Sequence, residues 1–341
     1  MALYALEDID DALDVTRGFL TPIDRTVWFK LAFVAFFIGG PGAGFNSFQY
    51  SFGGDGGGTG GPPPGDVVVP DLGFPVWALI AAVVGVLLIL ALLFALIGSV
   101  MEFVFVESLR NEAVTVRRYW GRRWRQGLRL FGFRLVIGFV VFGGAALAAG
   151  IGFLLFEGGG PGGLAAIFLL ILPAFVVLGI VVGLVNGFTT VFVVPIMVLE
   201  DRNVLAGWRR LWPTITDQWQ QYLAYVVASF FLSIVAGILI ALVVGVLALL
   251  LLIPFGVLFA IGVALLVLVS EPLGIAALAI VGVLFGLTVL VVAALVGMPV
   301  QAYLRYYAML VLGDVDPDLD LIPDQRAAVR ESSDSSAPSA S

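Results

Sequence analysis

Long uncharged apolar blocks alternate with short polar segments along this chain, and that rhythm predicts its elements. The blocks run from about 26 to 45, 74 to 106, 130 to 156, 164 to 199, 222 to 269 and 273 to 312. A helix needs roughly 20 apolar residues to cross a bilayer core, and each block reaches that length. A transmembrane β-barrel would instead alternate apolar and polar positions in short segments. The stretch from Tyr222 to Val269 is too long for one crossing, so Pro254 is read as dividing it. It leaves a fifth span and a piece at 255–269 that is short for a crossing and is either re-entrant or interfacial. The expected fold class is all-α, a polytopic helical membrane protein with six transmembrane helices.

The polar segments set the orientation. Arg17, Arg25 and Lys30, then Arg110 through Arg134, then Arg202, Arg209 and Arg210, then Arg305, Arg326 and Arg330 fall on one side. The loops at 39–74, 157–163 and 270–272 carry no lysine or arginine. By the positive-inside rule, both termini of a multi-pass cell-membrane protein are expected in the cytoplasm. Residues 1–25 read as an amphipathic lead-in rather than a signal peptide, since they are acidic and lack an apolar core. The glycine- and proline-rich stretch at 46–73 reads as a flexible outer loop; it has neither the lysine nor the spacing of a phosphate-binding loop. Residues 1–312 are expected to form one membrane domain. The acidic, Ser/Ala-rich residues 313–341 are expected to be a disordered cytoplasmic tail.

Three polar segments share a pattern. Glu7, Glu107 and Glu200 are each followed ten residues later by an arginine, Arg17, Arg117 and Arg210. Two further on stands an aromatic: Phe19, Tyr119 or Trp212. A helical hairpin follows each, so the chain reads as three tandem units, 6–106, 107–199 and 200–312. Each unit would be an interfacial amphipathic helix plus two spans, and Val311–Asp314 looks like a fourth entry left unextended.

On a helical wheel Trp120, Trp124, Leu128 and Phe131 share one face, with Arg118, Arg122, Arg125 and Arg129 opposite. In the third entry Leu205, Trp208, Leu211, Trp212 and Ile215 make the apolar face. Such helices lie at the headgroup level, with arginines toward phosphates. Arg17, Arg117, Arg118, Arg122, Arg125, Arg129 and Arg210 are the candidate residues for anionic lipid or a protein partner on the cytoplasmic face. Basic residues with interleaved aromatics also suit single-stranded nucleic acid, but beside membrane spans an interfacial anchor is the better reading. No nucleic acid partner is expected.

Small residues repeat at four-residue spacing in several spans, such as Gly179, Gly183 and Gly187, or Gly282 and Gly286. They predict close helix–helix approach. Charges inside spans are few, and Glu102 with Arg305 forms the candidate intramembrane pair.

Composition narrows the chemistry. With 61% hydrophobic and 12% charged residues, the chain is too apolar for a soluble domain. The absence of cysteine and histidine removes disulfides, thiolate zinc sites and imidazole-based nucleophile pairs. Asp316, Asp318 and Asp320 fall short of a calcium loop, since Leu321 stands where glycine is needed and Ala327 where the closing glutamate belongs. No catalytic, metal or cofactor-binding residue is assigned, and no cofactor is expected. One lysine against sixteen arginines, with a pI near 4.6, points to a salt-rich cytoplasm and a halophilic source.

The run VVPIMVLEDRNVLAGWRRLW, residues 193–212, resembles a group of uncharacterised six-span prokaryotic membrane proteins of halophilic archaeal type. That group is similar to the membrane domain fused to some glycerophosphodiester phosphodiesterases. The resemblance implies an integral membrane protein of unknown role and carries over no catalytic residue. The function expected is a non-enzymatic scaffold or accessory protein whose basic face binds anionic lipid or a partner. The rival is a small-solute transporter or channel.

Overall fold

A computed structural model of the chain describes residues 4–39, 76–155 and 161–336, and every element among them is helical. Two short helices open the chain, α1 (Tyr4–Leu20) and α2 (Arg25–Gly39). The long helices α3 (Val76–Arg110), α4 (Val116–Leu155) and α5 (Pro161–Phe188) follow. A π-helical turn, Thr189–Val193, joins α5 to α6 (Val194–Glu200). Then come α7 (Val204–Asp217), α8 (Trp219–Leu268) and α9 (Glu271–Val315). A 3-10 turn at Pro317–Leu319 and α10 (Pro323–Ser336) close the chain.

Five helical stretches are long and apolar enough to cross a membrane: Trp77–Arg110, Val116–Leu147, Leu172–Glu200, Trp219–Leu268 and Glu271–Val315. The expected first span lies partly outside the described residues; α2 itself has 15 residues. The expected outer loop at 46–73 lies wholly outside them.

Burial divides the molecule into two ends. The core gathers where α1, α2 and α7 meet the polar ends of the long helices, around Phe103, Phe105, Phe192, Met197, Tyr306 and Tyr307. Rings interlock there, Phe192 with Tyr225 at 4.8 Å between centroids and Tyr225 stacked on Tyr307 at 5.3 Å. Beyond this core the helices expose Val, Leu, Ile and Phe on most faces, as at Val83, Phe139, Val177, Leu242 and Leu284. Such a surface costs roughly 25 cal/mol per Å² in water and nothing comparable against lipid tails.

Pro254 does not divide the apolar stretch; α8 runs unbroken through it for 50 residues. Proline removes only one helical donor, and residues beyond it keep packing on α9 through Phe255 and Phe259 against Phe285. The α8–α9 hairpin closes at Ser270, whose hydroxyl accepts from the Leu273 amide.

The tail also departs from expectation. Residues 313–336 form helix and turn, with Leu319, Leu321 and Ile322 buried; residues 337–341 of the expected tail lie outside the described residues. The glycine stripes do not bring helices together within the protein. A Cβ on Gly144, Gly179, Gly183, Gly187, Gly245, Gly282 or Gly286 would meet nothing within 4 Å. Close approach occurs instead at Gly98 beneath the Phe37 carbonyl, Gly127 against Val100 and Gly207 against Val193.

Candidate functional site

The last turn of any helix leaves carbonyls without partners and a negative dipole end, so a helix that stops inside a packed core needs donors there. Helices α3, α6 and α9 all stop at the polar end, and amphipathic helices supply the donors. At the end of α6 the Gln126 amide donates to the Met197 carbonyl at 3.0 Å and to Asp201 at 2.7 Å. At the end of α9 Gln218 donates to the Val315 carbonyl at 3.0 Å. At the end of α3 Gln325 donates to the Leu109 carbonyl at 3.1 Å and to Glu112 at 3.0 Å. Glu112 and Asp201, two carboxylates so held, are the non-glycine residues with positive φ among the described residues, 50° and 53°. The left-handed turn aims each carboxylate back at the glutamine that holds it.

Arginines tie these ends together in sequence. Arg123, 5% exposed, joins Glu107 of α3 at 3.0 Å to Asp201 at 3.3 Å and donates to the Val198 carbonyl. Arg210 joins Glu200 of α6 at 3.7 Å to Asp316 at 3.2 Å, just past α9. Arg330 joins Asp314 of α9 to Asp8 and Asp11 of α1, the last two each at 3.2 Å, while Gln325 of the same helix reaches α3. The three clasps form a closed cycle: α3 to α6, α6 to α9, and α9 through α10 back to α3. Arg326 reinforces the last by pairing with Asp314 and Asp320.

Inside the ring the same three helical ends meet a second time. Arg305 of α9 pairs with Glu102 of α3 and donates to the Thr190 carbonyl in the π turn. Arg134 approaches the other Glu102 oxygen at 3.6 Å and donates to the Thr190 hydroxyl at 2.7 Å. Trp208 donates to Thr189 Oγ1 at 2.9 Å. The π turn widens the helix locally and exposes a carbonyl sideways, where Arg305 takes it.

The residues singled out in the sequence divide by place. Glu102 and Arg305 come together. Of the three glutamate–arginine pairs ten residues apart, Glu200–Arg210 meets. Glu107 instead takes Arg123 and, at 3.6 Å, Arg122. Glu7 is exposed, and Arg17 reaches Asp14 at 3.9 Å. Arg117, Arg118, Arg125 and Arg129 are exposed and have no ion-pair partner among the described residues. Arg210 is turned inward to carboxylates and does not share their freedom.

Sequence reasoning missed Asp8, Arg123, Gln126, Arg134, Asp201, Gln325 and Arg330. A signal was present: Glu107–Arg123 and Asp314–Arg330 are both separated by 16 positions. Asp8 is the most perturbed of these groups. Burial, then the charge of Asp314, push its carboxyl up to about 8 against the pull of Arg330.

Two concavities border the ring. A polar cleft of about 420 Å³ lies beside the Arg123 clasp, among Glu107, Arg110, Asn111 and Arg122. A larger groove of about 810 Å³ lies between α2 and the start of α4. Among the described residues no group of three or more acids could hold a metal ion.

A model of a family of unknown function matches residues 3–322, nearly the whole chain. The match takes in the Arg123 and Arg210 clasps entire, and the third clasp except for α10, which lies beyond it. No curated protein and no solved structure matches the chain.

Proposed function

Since the chain belongs to this family of unknown function (DUF7544), we propose from its own geometry that it is a non-enzymatic membrane scaffold or accessory protein. Its basic face would engage anionic lipid headgroups or a protein partner in the cytoplasm. The carrying observation is the division of arginines: those inside the ring are paired with carboxylates, while Arg117, Arg118, Arg125 and Arg129 stay free on an exposed face. The same amphipathic segments hold large apolar groups outward, Trp124 at 45%, Trp212 at 59% and Leu205 at 69% exposure. Tryptophan and arginine together on a helix that lies beside apolar spans suit the headgroup layer.

In this reading α2 is the start of a sixth span, both termini are cytoplasmic, and the membrane is the cell membrane. The chain is three tandem units, and α10 acts as a further entry helix that returns to clasp the first. At about 1.5 Å per residue, the 50-residue α8 is roughly 75 Å long. A hydrocarbon core is about 30 Å thick, so the unbroken α8 reaches well beyond it. The pairing of Glu102 with Arg305 and Arg134 across the meeting point of α3, α6 and α9 weighs against a solute path there, the alternative reading as transporter or channel.

The test is headgroup analysis of lipid that co-purifies with the protein. Enrichment of anionic over zwitterionic lipid relative to the source membrane supports the reading. A co-purified lipid profile equal to the bulk membrane would remove it.

A further inference from the structure

The groove between α2 and the start of α4 has two kinds of wall. Phe29 and Phe33, both exposed on α2, face Val114 and Val116 and make it apolar. Lys30, Arg117 and Arg118 make its rim cationic, and among the described residues no carboxylate lines it. None of these three cations has an ion-pair partner among the described residues, whereas Arg123, Arg210 and Arg330 are clasped by acids. Lys30 is the chain's only lysine. Three like charges gathered without a counterion repel one another, so an anion between them relieves a cost that the fold itself leaves in place.

The backbone adds to this. Thr115 starts α4, its carbonyl accepting from the amides of Arg118 and Tyr119, each at 3.1 Å. That leaves the Val116 and Arg117 amides at the positive end of the helix, and Thr115, Val116 and Arg117 line the groove. The volume, about 810 Å³, is in the range of sites that enclose an organic ligand rather than a bare ion. An apolar cleft continuous with exposed phenylalanines needs an occupant that is itself part hydrocarbon.

Resting on the lipid reading above, we propose that this groove is a stoichiometric site for one anionic membrane lipid. Its phosphate would sit among Lys30, Arg117, Arg118 and the start of α4, and its acyl chain along Phe29 and Phe33. The contribution expected is roughly fivefold in affinity per cation, on the order of 100-fold for all three.

The test is native mass spectrometry of the full chain in detergent, titrated with phosphatidylglycerol or with phosphatidylcholine of the same acyl chains. The expected result is one tightly held phosphatidylglycerol, a preference lost in Lys30→Ala/Arg117→Ala/Arg118→Ala and kept in Arg209→Ala, an exposed arginine outside both the groove and the basic face of α4. The three groove cations are exposed and unpaired, so their removal leaves the fold intact; Lys30→Arg, which keeps the charge, should bind as the parent does. Phe33→Ser should weaken both lipids alike and spare the preference. If the triple variant retains the preference while the parent shows it, the groove is not the site and the basic-face reading stands. If the parent itself shows no preference, both fall.

Discussion

Arg123→Ala is the sharpest perturbation of the ring. Arg123 is 5% exposed and Glu107 is 3% exposed, so the substitution strands a nearly buried carboxylate at the edge of the polar cleft. Breaking one half of such a buried pair costs about 3–5 kcal/mol, most of it the uncompensated charge. Arg122 lies 3.6 Å from Glu107 and is largely exposed, so it swings in only partly and places the loss near the lower figure, about 3 kcal/mol. The Gln126 side chain also loses the donor to its oxygen, while its own bonds to Met197 and Asp201 persist. Thermal unfolding in micelles, followed by tryptophan fluorescence, reads this directly, since Trp120 and Trp124 sit on the same helix. Arg125→Ala, two positions on and exposed, should stay within about 0.5 kcal/mol. Adding Glu107→Gln to Arg123→Ala should recover more than about 1 kcal/mol, because the stranded charge is then gone. If Arg123→Ala is as mild as Arg125→Ala, the clasp does not hold the ends of α3 and α6 together.

Other consequences follow from the same contacts. Glu102→Ala should destabilise by about 3 kcal/mol or more, since Arg305 and Arg134 both lose a buried counterion. The exchange Glu102→Arg/Arg305→Glu should rescue expression only in part, because Arg134 then faces a new cation on α3; no rescue at all would argue that the two residues act separately. Asp8 titrates near 4 when unfolded and at about 8 when folded, so between those values only the folded chain holds the proton. Stability should fall as pH rises from about 4 to about 8 and level off above, and Asp8→Asn should flatten that slope in melts across the range. Gly127→Val drives a side chain into Val100 and should cost about 1–3 kcal/mol, while Gly179→Ala, in open space, should leave the melting temperature unchanged.

How far each element is legible in the sequence depends on what its residues have for neighbours. Apolar length identifies α3, α4, α8 and α9, because a run of uncharged residues has few other uses. Glu102 and Arg305 stand out since a charge within such a run needs a partner. The clasping face of α4 is hidden: Tyr119, Arg123, Gln126 and Leu130 share it, and a wheel sorted by hydropathy assigns such a mixed face to solvent. Its Trp124 and Leu128, on the face read as interfacial, are exposed. A division at Pro254 follows from rules suited to helices in water, where neighbouring turns do less to hold the chain straight. The tail looks disordered by composition; Leu319, Leu321 and Ile322 anchor it, and its acids find Arg210 of α7 and, within the tail itself, Arg326 and Arg330. Glycine stripes encode the capacity for close packing but do not name the neighbour that uses it.

Everything proposed for the basic face depends on the polar end being a closed platform that faces the cytoplasm. Because the chain has no cysteine, single cysteines can be placed at Gly121, where a side chain meets nothing within 4 Å, and at Gly60 in the glycine-rich loop. An impermeant thiol reagent added to intact cells should label Gly60→Cys and spare Gly121→Cys, with the reverse in inside-out vesicles. Labelling of both from the same side would contradict that orientation.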